Sequence, residues 1–242
     1  MSTSRARTSP SITATDPDAT AVGKLVVIEG VDGAGKNTLA RRLVSAWERE
    51  GHEVARVGFP RYGLSVNADL AAEALRGEHG DTAESVHAMA LLFALDRRDA
   101  AEMIRKLLSH NDIVLLDRYV ASNAAYTAAR LEESADGDGV EWIRALEFER
   151  FGVPIPDVQI LLDVPVELAA ERAAAREQED STRVRDSYER DSSLQSRTSA
   201  AYCGLAAANW VSPWEVIDAD VDPTQLAAHL VNQTSDGMKV TP

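Results

Sequence analysis

Residues 24–38, KLVVIEGVDGAGKNT, run from a continuous apolar segment into a turn with three closely spaced glycines. Residues 24–29 predict a buried strand of a parallel sheet, because such strands are apolar on both faces. From residue 36 to about residue 50, apolar side chains recur at helical spacing, and Gly51 can end that helix. The stretch therefore predicts a strand, a glycine turn and a helix in direct succession.

The turn has the composition of a phosphate-binding loop. Gly30, Gly33 and Gly35 allow the backbone to curl until successive N–H groups point at one anion. The helix that follows directs its positive N-terminal end at the same place. Lys36 can reach the β- and γ-phosphate oxygens of a nucleotide. We therefore expect a nucleotide site.

The residue after the lysine departs from this pattern. Most such loops have a hydroxyl there that helps to hold Mg²⁺, whereas this chain has Asn37. The amide oxygen could ligate weakly, or the ion could be held elsewhere. Hard cations prefer carboxylate oxygens, which makes Asp32, Asp117 and Glu189 the candidate ligands. Thr38 remains available for an α-phosphate oxygen.

The rest of the chain alternates between strand and helix patterns. The predicted strands are residues 24–29, 53–58, 112–117, 157–163 and 214–218. The principal predicted helices begin after Ser65 and at Asp81, and lie at about 121–134 and 140–151, after Pro165 and after Asp222. This alternation predicts an α/β fold of the three-layer P-loop NTPase type, in which helices flank a five-stranded parallel sheet. Ligands of such sheets bind beyond the C-terminal ends of the strands.

Length and composition indicate one domain. We expect the domain to cover residues 23–233, with a disordered N-terminal tail at 1–22 and a C-terminal tail at 234–242. No segment has the ~18 consecutive apolar residues that a membrane helix needs. The single cysteine, Cys203, excludes an internal disulfide and suits a cytoplasmic protein.

Charge and motifs exclude several classes. A net charge of −14 argues against a nucleic-acid partner. The chain has no Asn-Lys pair with which a GTPase switch would read guanine. A motor ATPase carries Asp-Glu after an apolar strand, but here Arg118 and Val164 follow the strand aspartates. A kinase of small molecules remains.

Five motifs resemble the thymidylate kinases, a family of P-loop nucleoside monophosphate kinases. They are, in order, IEGVDGAGK, FPRYG, FALDRR, LDRYVASNAAY and RDSYER. The resemblance spans about residues 24–233 and is greatest to the actinobacterial form. It implies transfer of the γ-phosphoryl group of ATP to dTMP, giving dTDP on the way to dTTP. It also implies Mg²⁺ as cofactor and a homodimer packed through helices.

The resemblance assigns residues to both substrates. ATP would be bound by Gly30, Gly33, Ala34, Gly35, Lys36, Asn37 and Thr38. The dTMP site would contain Asp32, Phe59, Arg61, Tyr62, Phe93, Arg97, Arg118, Ser122, Asn123, Tyr126, Tyr188 and Glu189. Arg118 would contact the dTMP phosphate, and Asp117 would help to organise the metal site.

Spacing gives some of these roles a physical reason. Phe93 and Arg97 share one helix face, so that Phe93 could stack on thymine while Arg97 donates to a base oxygen. Asn123 and Tyr126 also share a face. The amide can pair with the donor–acceptor edge of thymine, and in the family the tyrosine lies against the deoxyribose, where a 2′-hydroxyl would be crowded.

Each assignment has a structural alternative. Phe59 and Phe93 could simply belong to the core. Ser122 could be a helix cap, and Asp117 with Arg118 could be a structural ion pair.

The phosphate loop itself contains no arginine, so the catalytic cation must come from elsewhere. The family places a mobile lid at about residues 176–186, and the stretch 171–190 around it supplies the candidates Arg172, Arg176, Arg183 and Arg185. The alternative is a salt-bridged helix surface. The predicted catalytic set is therefore Lys36, Asp117, Arg118, Arg172, Arg176 and Arg183.

Two other functions stay open from sequence. One is a kinase of another nucleoside or nucleotide. The other is a nucleotide-binding regulatory protein with a disabled site, for which Asn37 is the only indication.

Overall fold

The computed structural model describes residues 23–179 and 187–232, and its strands and helices alternate along the chain. The strands are β1 (Lys24–Glu29), β2 (Val54–Gly58), β3 (Ile113–Asp117), β4 (Val158–Leu162) and β5 (Trp214–Ile217). The helices are α1 (Lys36–Arg49), α2 (Val66–Leu75), α3 (Val86–Leu108), α4 (Val120–Leu131), α5 (Asp138–Arg144), α6 (Val166–Glu179), α7 (Ser187–Arg190), α8 (Ser192–Ala207) and α9 (Pro223–Asn232).

All five strands are parallel and pair in the order β2-β3-β1-β4-β5, which confirms the predicted α/β fold. The strand β1 is central, and its C-terminal end is level with that of β3, since Ile28 pairs with Asp117. The phosphate loop after β1 and the segment after β3 therefore leave the sheet side by side.

The core is mainly aliphatic and rich in alanine. The helices α4 and α8 pack closely, and Ala121, Ala124, Ala125 and Ala128 of α4 are fully buried. Alanine side chains allow the two helix backbones to approach. Because α4 carries several candidate site residues, this packing fixes their positions relative to α8.

The long helix α3 begins later than the sequence predicts. Its N-cap is Ser85, whose side chain accepts a hydrogen bond from the N–H of Ala88 at 3.2 Å. Asp81 is instead part of a turn, in which its carbonyl accepts from Glu84 N at 3.0 Å. Ser65 caps α2 as predicted, since it accepts from Ala68 N at 3.4 Å.

The predicted helix at 140–151 is also modified. After α5 the chain continues as a π-helical turn over Ala145–Arg150. Such turns insert an extra residue into the helical ladder and are frequent at functional sites. The turn carries Glu147, whose side chain is fully buried.

Several predicted features fall outside the described residues. These are the tails at 1–22 and 234–242 and the part of the lid at 180–186, which includes Arg183 and Arg185. The side chain of Arg176 is likewise not among the described ones. None of the helices within residues 23–179 and 187–232 combines the length and apolar character that a membrane span requires.

Candidate active site

The phosphate loop occupies residues 30–35 between β1 and α1 and needs its glycines. Gly30, Gly33 and Gly35 have φ angles of 143°, 86° and 108°, in the region that favours glycine. At Gly33 an added Cβ would lie 1.9 Å from the carbonyl oxygen of Ala169 on α6. The loop is thus curled and held directly against the helix that leads toward the predicted lid.

Lys36 folds back over the loop. Its Nζ donates to the carbonyls of Gly30 at 3.0 Å and Val31 at 2.8 Å. Burial and then the nearby positive charge of Arg118 lower the pKa of Lys36 to about 8, although neighbouring carboxylates, Asp32 first, oppose the shift. A bound polyphosphate would place negative charge beside the ammonium group of Lys36 and stabilise its charged form.

A cavity of about 290 Å³ lies beside the loop and α1. Its walls include Ala34, Gly35, Thr38, Leu39, Leu162 and Arg172. Arg172 donates from Nη1 to the carbonyl of Ala34 at 3.3 Å, so one of the predicted lid arginines already contacts the loop. Asn37 is exposed in the first turn of α1 and is not among the residues that line this cavity.

A second cavity, of about 260 Å³, is lined by Asp32 of the loop. Of the twelve residues predicted for the dTMP site, eleven line it: Asp32, Phe59, Tyr62, Phe93, Arg97, Arg118, Ser122, Asn123, Tyr126, Tyr188 and Glu189. Arg61 is the exception. We refer to this space as the acceptor cavity.

One end of the acceptor cavity offers a ligand both a hydrogen-bond donor and a hydrogen-bond acceptor. Arg97 forms two hydrogen bonds with Glu147, at 2.5 and 2.7 Å, and both side chains are buried. Asn123 donates from Nδ2 to Ala90 O at 3.0 Å and to Glu147 at 2.8 Å. The amide donor is therefore used by the protein, and Oδ1 is the group left to accept from a ligand.

The other end of the acceptor cavity holds a fixed cation. Arg118 follows β3 with a φ of 68°, and its backbone N–H donates to Ile28 O at 2.9 Å. Its Nη2 donates to Asp32, and its Nη1 donates to the hydroxyls of Ser122 at 3.1 Å and Tyr202 at 3.2 Å. The guanidinium thus stands between the phosphate loop and α4, where it can face two phosphate groups at once.

Asp32 balances this charge from within the loop. It accepts from Arg118 and from the hydroxyl of Tyr126, the latter at 2.7 Å. Burial alone would raise the pKa of Asp32, but the charges of Arg118 and Lys36 and the hydrogen bonds lower it to about 2. The carboxylate is therefore ionised at neutral pH.

Two tyrosines form one wall of the acceptor cavity. The rings of Tyr126 and Tyr188 stack with centroids 6.0 Å apart and planes 18° apart. Arg130 lies 4.8 Å from the centre of the Tyr188 ring, donates to its hydroxyl and also donates to Ala83 O. Gln195 donates to the hydroxyl of Tyr126 at 3.3 Å and to the carbonyl of Tyr188 at 3.0 Å. Residues just after the predicted lid are thereby attached to α4.

Two predicted residues stand slightly apart from the acceptor cavity. Arg61 makes three hydrogen bonds with buried Asp96, through its backbone N, Nε and Nη2, at 2.7–2.9 Å. Asp117 accepts from Nη2 of Arg56 at 2.9 Å and does not line the cavity. Asp117 and Arg118 therefore do not form the alternative ion pair with each other. Asp117 pairs with Arg56, and Arg118 pairs with Asp32.

The other structural alternatives are partly correct. Phe59 belongs to the buried core and also lines the acceptor cavity, next to a cis peptide bond with Pro60. Phe93 packs on a small cluster that contains Met89 and faces the same cavity. Ser122 is not the cap of α4, because the N-cap is Tyr119.

Three charged residues that shape the site were not predicted from the sequence. Glu29 ends a buried apolar strand, Glu147 interrupts an apolar helical stripe, and Arg130 stands four residues after Tyr126 on the same helix face. A charged residue within an apolar pattern, or on the same helix face as a predicted site residue, was the signal by which each could have been found. Arg130 lines the acceptor cavity, whereas the two glutamates hold residues that line it.

The donor set suits a metal that is shared with substrates. Within the described residues there is no group of three or more His, Cys, Asp or Glu side chains that could hold an ion alone. Asp32 and Glu189 both line the acceptor cavity, and Asp117 is engaged with Arg56. Mg²⁺ commonly uses one or two carboxylates together with substrate phosphates, so these residues fit it.

A phosphate loop whose aspartate lines a neighbouring cavity, and contacts an arginine there, is the arrangement of a P-loop kinase of nucleoside monophosphates. The chain belongs to the thymidylate kinase family, whose sequence model matches residues 28–219.

Known members cover most of the chain. A thymidylate kinase of Mycobacterium tuberculosis is 58% identical over 206 residues, which are 85% of this chain and 96% of that protein. A probable thymidylate kinase of Thermococcus gammatolerans is 32% identical, over 76% of this chain and 84% of that protein. The human thymidylate kinase is 33% identical, over 63% of this chain and 66% of that protein.

Proposed function

We propose that this chain transfers the γ-phosphoryl group of ATP to dTMP, giving ADP and dTDP for dTTP biosynthesis. The observation that carries the proposal is the shared boundary of the two sites. Asp32 belongs to the phosphate loop and Arg118 contacts it, yet both line the acceptor cavity. A donor on the loop and an acceptor in the cavity would therefore meet at these residues.

The acceptor phosphate needs little activation. A phosphate monoester has a second pKa near ~6, so that it is largely a dianion at neutral pH and needs no general base. The protein must instead offset the repulsion between two polyanions, mostly through positioning and positive charge. Lys36 on the donor side and Arg118 between the sites supply that charge.

The base end of the acceptor cavity supports recognition of a thymine base. Among the described residues Oδ1 of Asn123 has no hydrogen-bond donor, so it can accept from the N3–H of thymine, while Arg97 can donate to a carbonyl oxygen of the base. Phe93 offers a flat apolar surface for stacking. The stacked wall of Tyr126 and Tyr188 would then lie along the sugar.

The metal assignment is also a proposal. Mg²⁺ would be held by Asp32 and Glu189 together with substrate phosphates, with Asp117 at the edge of the site. When bound, the ion supplies positive charge that neutralises phosphate oxygens. This arrangement does not depend on Asn37, which accounts for a working site without the usual hydroxyl.

The catalytic cation is assigned to the predicted lid. Arg172 reaches the loop carbonyl of Ala34 and is the nearest described candidate. Arg176, Arg183 and Arg185 follow on the same segment. An arginine that closes on the transferred group contributes roughly 10³–10⁵ in rate in related phosphoryl transfers.

Family membership also supports a homodimer in the cytoplasm, without nucleic acid as a partner. Sedimentation equilibrium should then give twice the mass of one chain, and a single-chain mass at every concentration would contradict the assembly.

The test of the function offers dTMP, dUMP, dCMP, AMP and GMP to the purified chain with ATP and Mg²⁺. We expect dTMP to be phosphorylated with the highest kcat/KM. Preference for another acceptor would indicate a different nucleotide kinase. Binding of ATP without turnover of any acceptor would indicate the regulatory protein for which Asn37 is the only sign.

A further inference from the structure

We propose that Glu29 is a positioning residue for the acceptor phosphate, which it influences by orienting Arg118 through the hydroxyls of Ser122 and Tyr202. The inference rests on the proposed function, because it assigns Arg118 to the phosphate of dTMP. Glu29 does not line the acceptor cavity, and nothing in its sequence motif assigns it this task.

Glu29 is a fully buried carboxylate with four hydrogen bonds. One oxygen accepts from the backbone N–H groups of Tyr119 at 2.8 Å and Ser122 at 3.2 Å. The other accepts from the hydroxyls of Ser122 at 2.6 Å and Tyr202 at 3.0 Å. A buried charge is stable only when it is well paired, so the arrangement is specific and costly to disturb.

The first oxygen fixes the start of α4. The N-cap of this helix, Tyr119, makes no side-chain capping bond, and Glu29 from β1 instead accepts from N–H groups of the first turn. Arg118 immediately precedes this cap in a left-handed conformation. Glu29 thereby holds the backbone on the C-terminal side of Arg118 in place.

The second oxygen sets the direction of two hydroxyl protons. A carboxylate can only accept, so the Ser122 and Tyr202 protons point toward Glu29 or along the 2.8 Å contact between the two hydroxyls. Their lone pairs are then free to face Nη1 of Arg118, at 3.1 and 3.2 Å. The hydroxyls can accept from the guanidinium because they donate their own hydrogen bonds toward Glu29.

A glutamine in place of Glu29 would reverse the direction of some of these hydrogen bonds, because its amide group donates as well as accepts. In one orientation its amide N–H group faces the hydroxyls, so that a hydroxyl proton has to turn toward Arg118. In the other orientation the N–H group faces the backbone donors of Tyr119 and Ser122. In both orientations the Arg118 guanidinium is held less firmly, while the volume of the side chain at position 29 is almost unchanged.

The decisive comparison is between Glu29→Gln and the matched variant Glu147→Gln. Both carboxylates are fully buried, but Glu147 binds Arg97 and Asn123 at the base end of the cavity. The measurements are the KM for dTMP, the KM for ATP, and the inhibition constant of thymidine, which lacks the phosphate.

We expect Glu29→Gln to raise the KM for dTMP about tenfold or more while the thymidine constant changes less than about twofold. Glu147→Gln should weaken dTMP and thymidine by similar factors, because it disturbs base recognition. Equal losses for dTMP and thymidine in Glu29→Gln would overturn the proposal, as would an unchanged KM for dTMP.

A second variant covers the case in which Glu29→Gln fails to fold. Tyr202→Phe keeps the carboxylate and removes only a hydroxyl between Glu29 and Arg118, and Tyr202 does not line the cavity. We expect a KM for dTMP that is about threefold higher, with unchanged constants for thymidine and ATP. An unchanged KM for dTMP would overturn the inference, whereas a wild-type chain that does not phosphorylate dTMP would overturn the function instead.

Discussion

At the scale of single residues, the charge of Lys36 should depend on whether a nucleotide is bound. Its pKa in the free protein is lowered to about 8 by burial first and by Arg118 second. A bound polyphosphate places negative charge beside the amine and raises that pKa again. Near pH ~8 the Lys36 amine is therefore partly neutral in the free protein and charged in the complex with the nucleotide.

This shift predicts proton uptake when ATP binds. At pH ~8, Lys36 should take up about half a proton when ATP binds, and at pH ~6 its own contribution should be almost none, because Lys36 is then protonated in both states. Calorimetry in buffers of different ionisation enthalpy measures the uptake. Lys36→Arg is the control, since a guanidinium does not titrate in this range. A binding heat that is independent of buffer at pH ~8 would contradict the prediction.

Asp32 predicts a different pH dependence, in stability. Its pKa is about 2 in the folded state, below the ordinary value of 3.8, because Arg118 and Lys36 outweigh the effect of burial. The stabilisation is therefore complete above the unfolded pKa and is lost as pH falls through the folded pKa. In Asp32→Asn the free energy of unfolding should fall less between pH ~4 and ~2, by on the order of 1–2 kcal/mol. Urea unfolding across this range measures it, and parallel pH profiles would refute it.

At the scale of secondary-structure elements, the phosphate loop is held by contact as well as by conformation. Gly33 has a positive φ and also touches the backbone of Ala169 on α6. Gly51, just after α1, has a similar φ of 90°, but an added Cβ there would have no neighbour within 4 Å in the described part of the chain. The pair separates the cost of the backbone conformation from that of the close contact.

We expect Gly33→Ala to abolish ATP binding, since the loop must move away from α6 to relieve a 1.9 Å contact. Gly51→Ala should cost only about 1 kcal/mol of stability and leave the KM for ATP unchanged. Thermal melts and ATP titrations of both variants make the comparison. Equal effects on ATP binding would mean that the contact with α6 has no role in the site.

The elements also divide what sequence can predict from what it cannot. Strands β1, β3 and β4 were predictable within one or two residues, because strands buried on both faces are continuously apolar. The start of α3 was not, since both Asp81 and Ser85 can cap a helix and only the turn around Asp81 decides between them.

The same division applies to the site. Motifs that resemble those of a known family mark a cavity before its structure is known, and eleven residues assigned from that resemblance line the acceptor cavity. Partners that come from distant segments leave no such mark. Asp96 ties Arg61 beside the cavity, and Glu147 reaches Arg97 only through the π-helical turn.

At the scale of the whole molecule, the first and last elements of the described fold contact each other. Lys24 at the start of β1 donates through Nζ to the carbonyl of Leu230 on α9. Trp47 on α1 donates to Ala227 O, also on α9, at 3.1 Å. Leu226, Ala227 and Leu230 are buried in the main core, so α9 is part of the folded unit.

These contacts predict where the chain can be shortened. A protein of residues 23–232 contains every described core contact and should keep its kcat, with a Tm within about 3 °C of the full chain. The matched control, residues 23–222, lacks α9 and leaves the indole N–H of Trp47 without its acceptor. It should lose roughly 3–5 kcal/mol or fail to fold. Calorimetric melting and dTMP turnover test both proteins. If the longer one loses more than about threefold in kcat, residues 1–22 or 233–242 contribute to function, and the domain extends beyond the described fold.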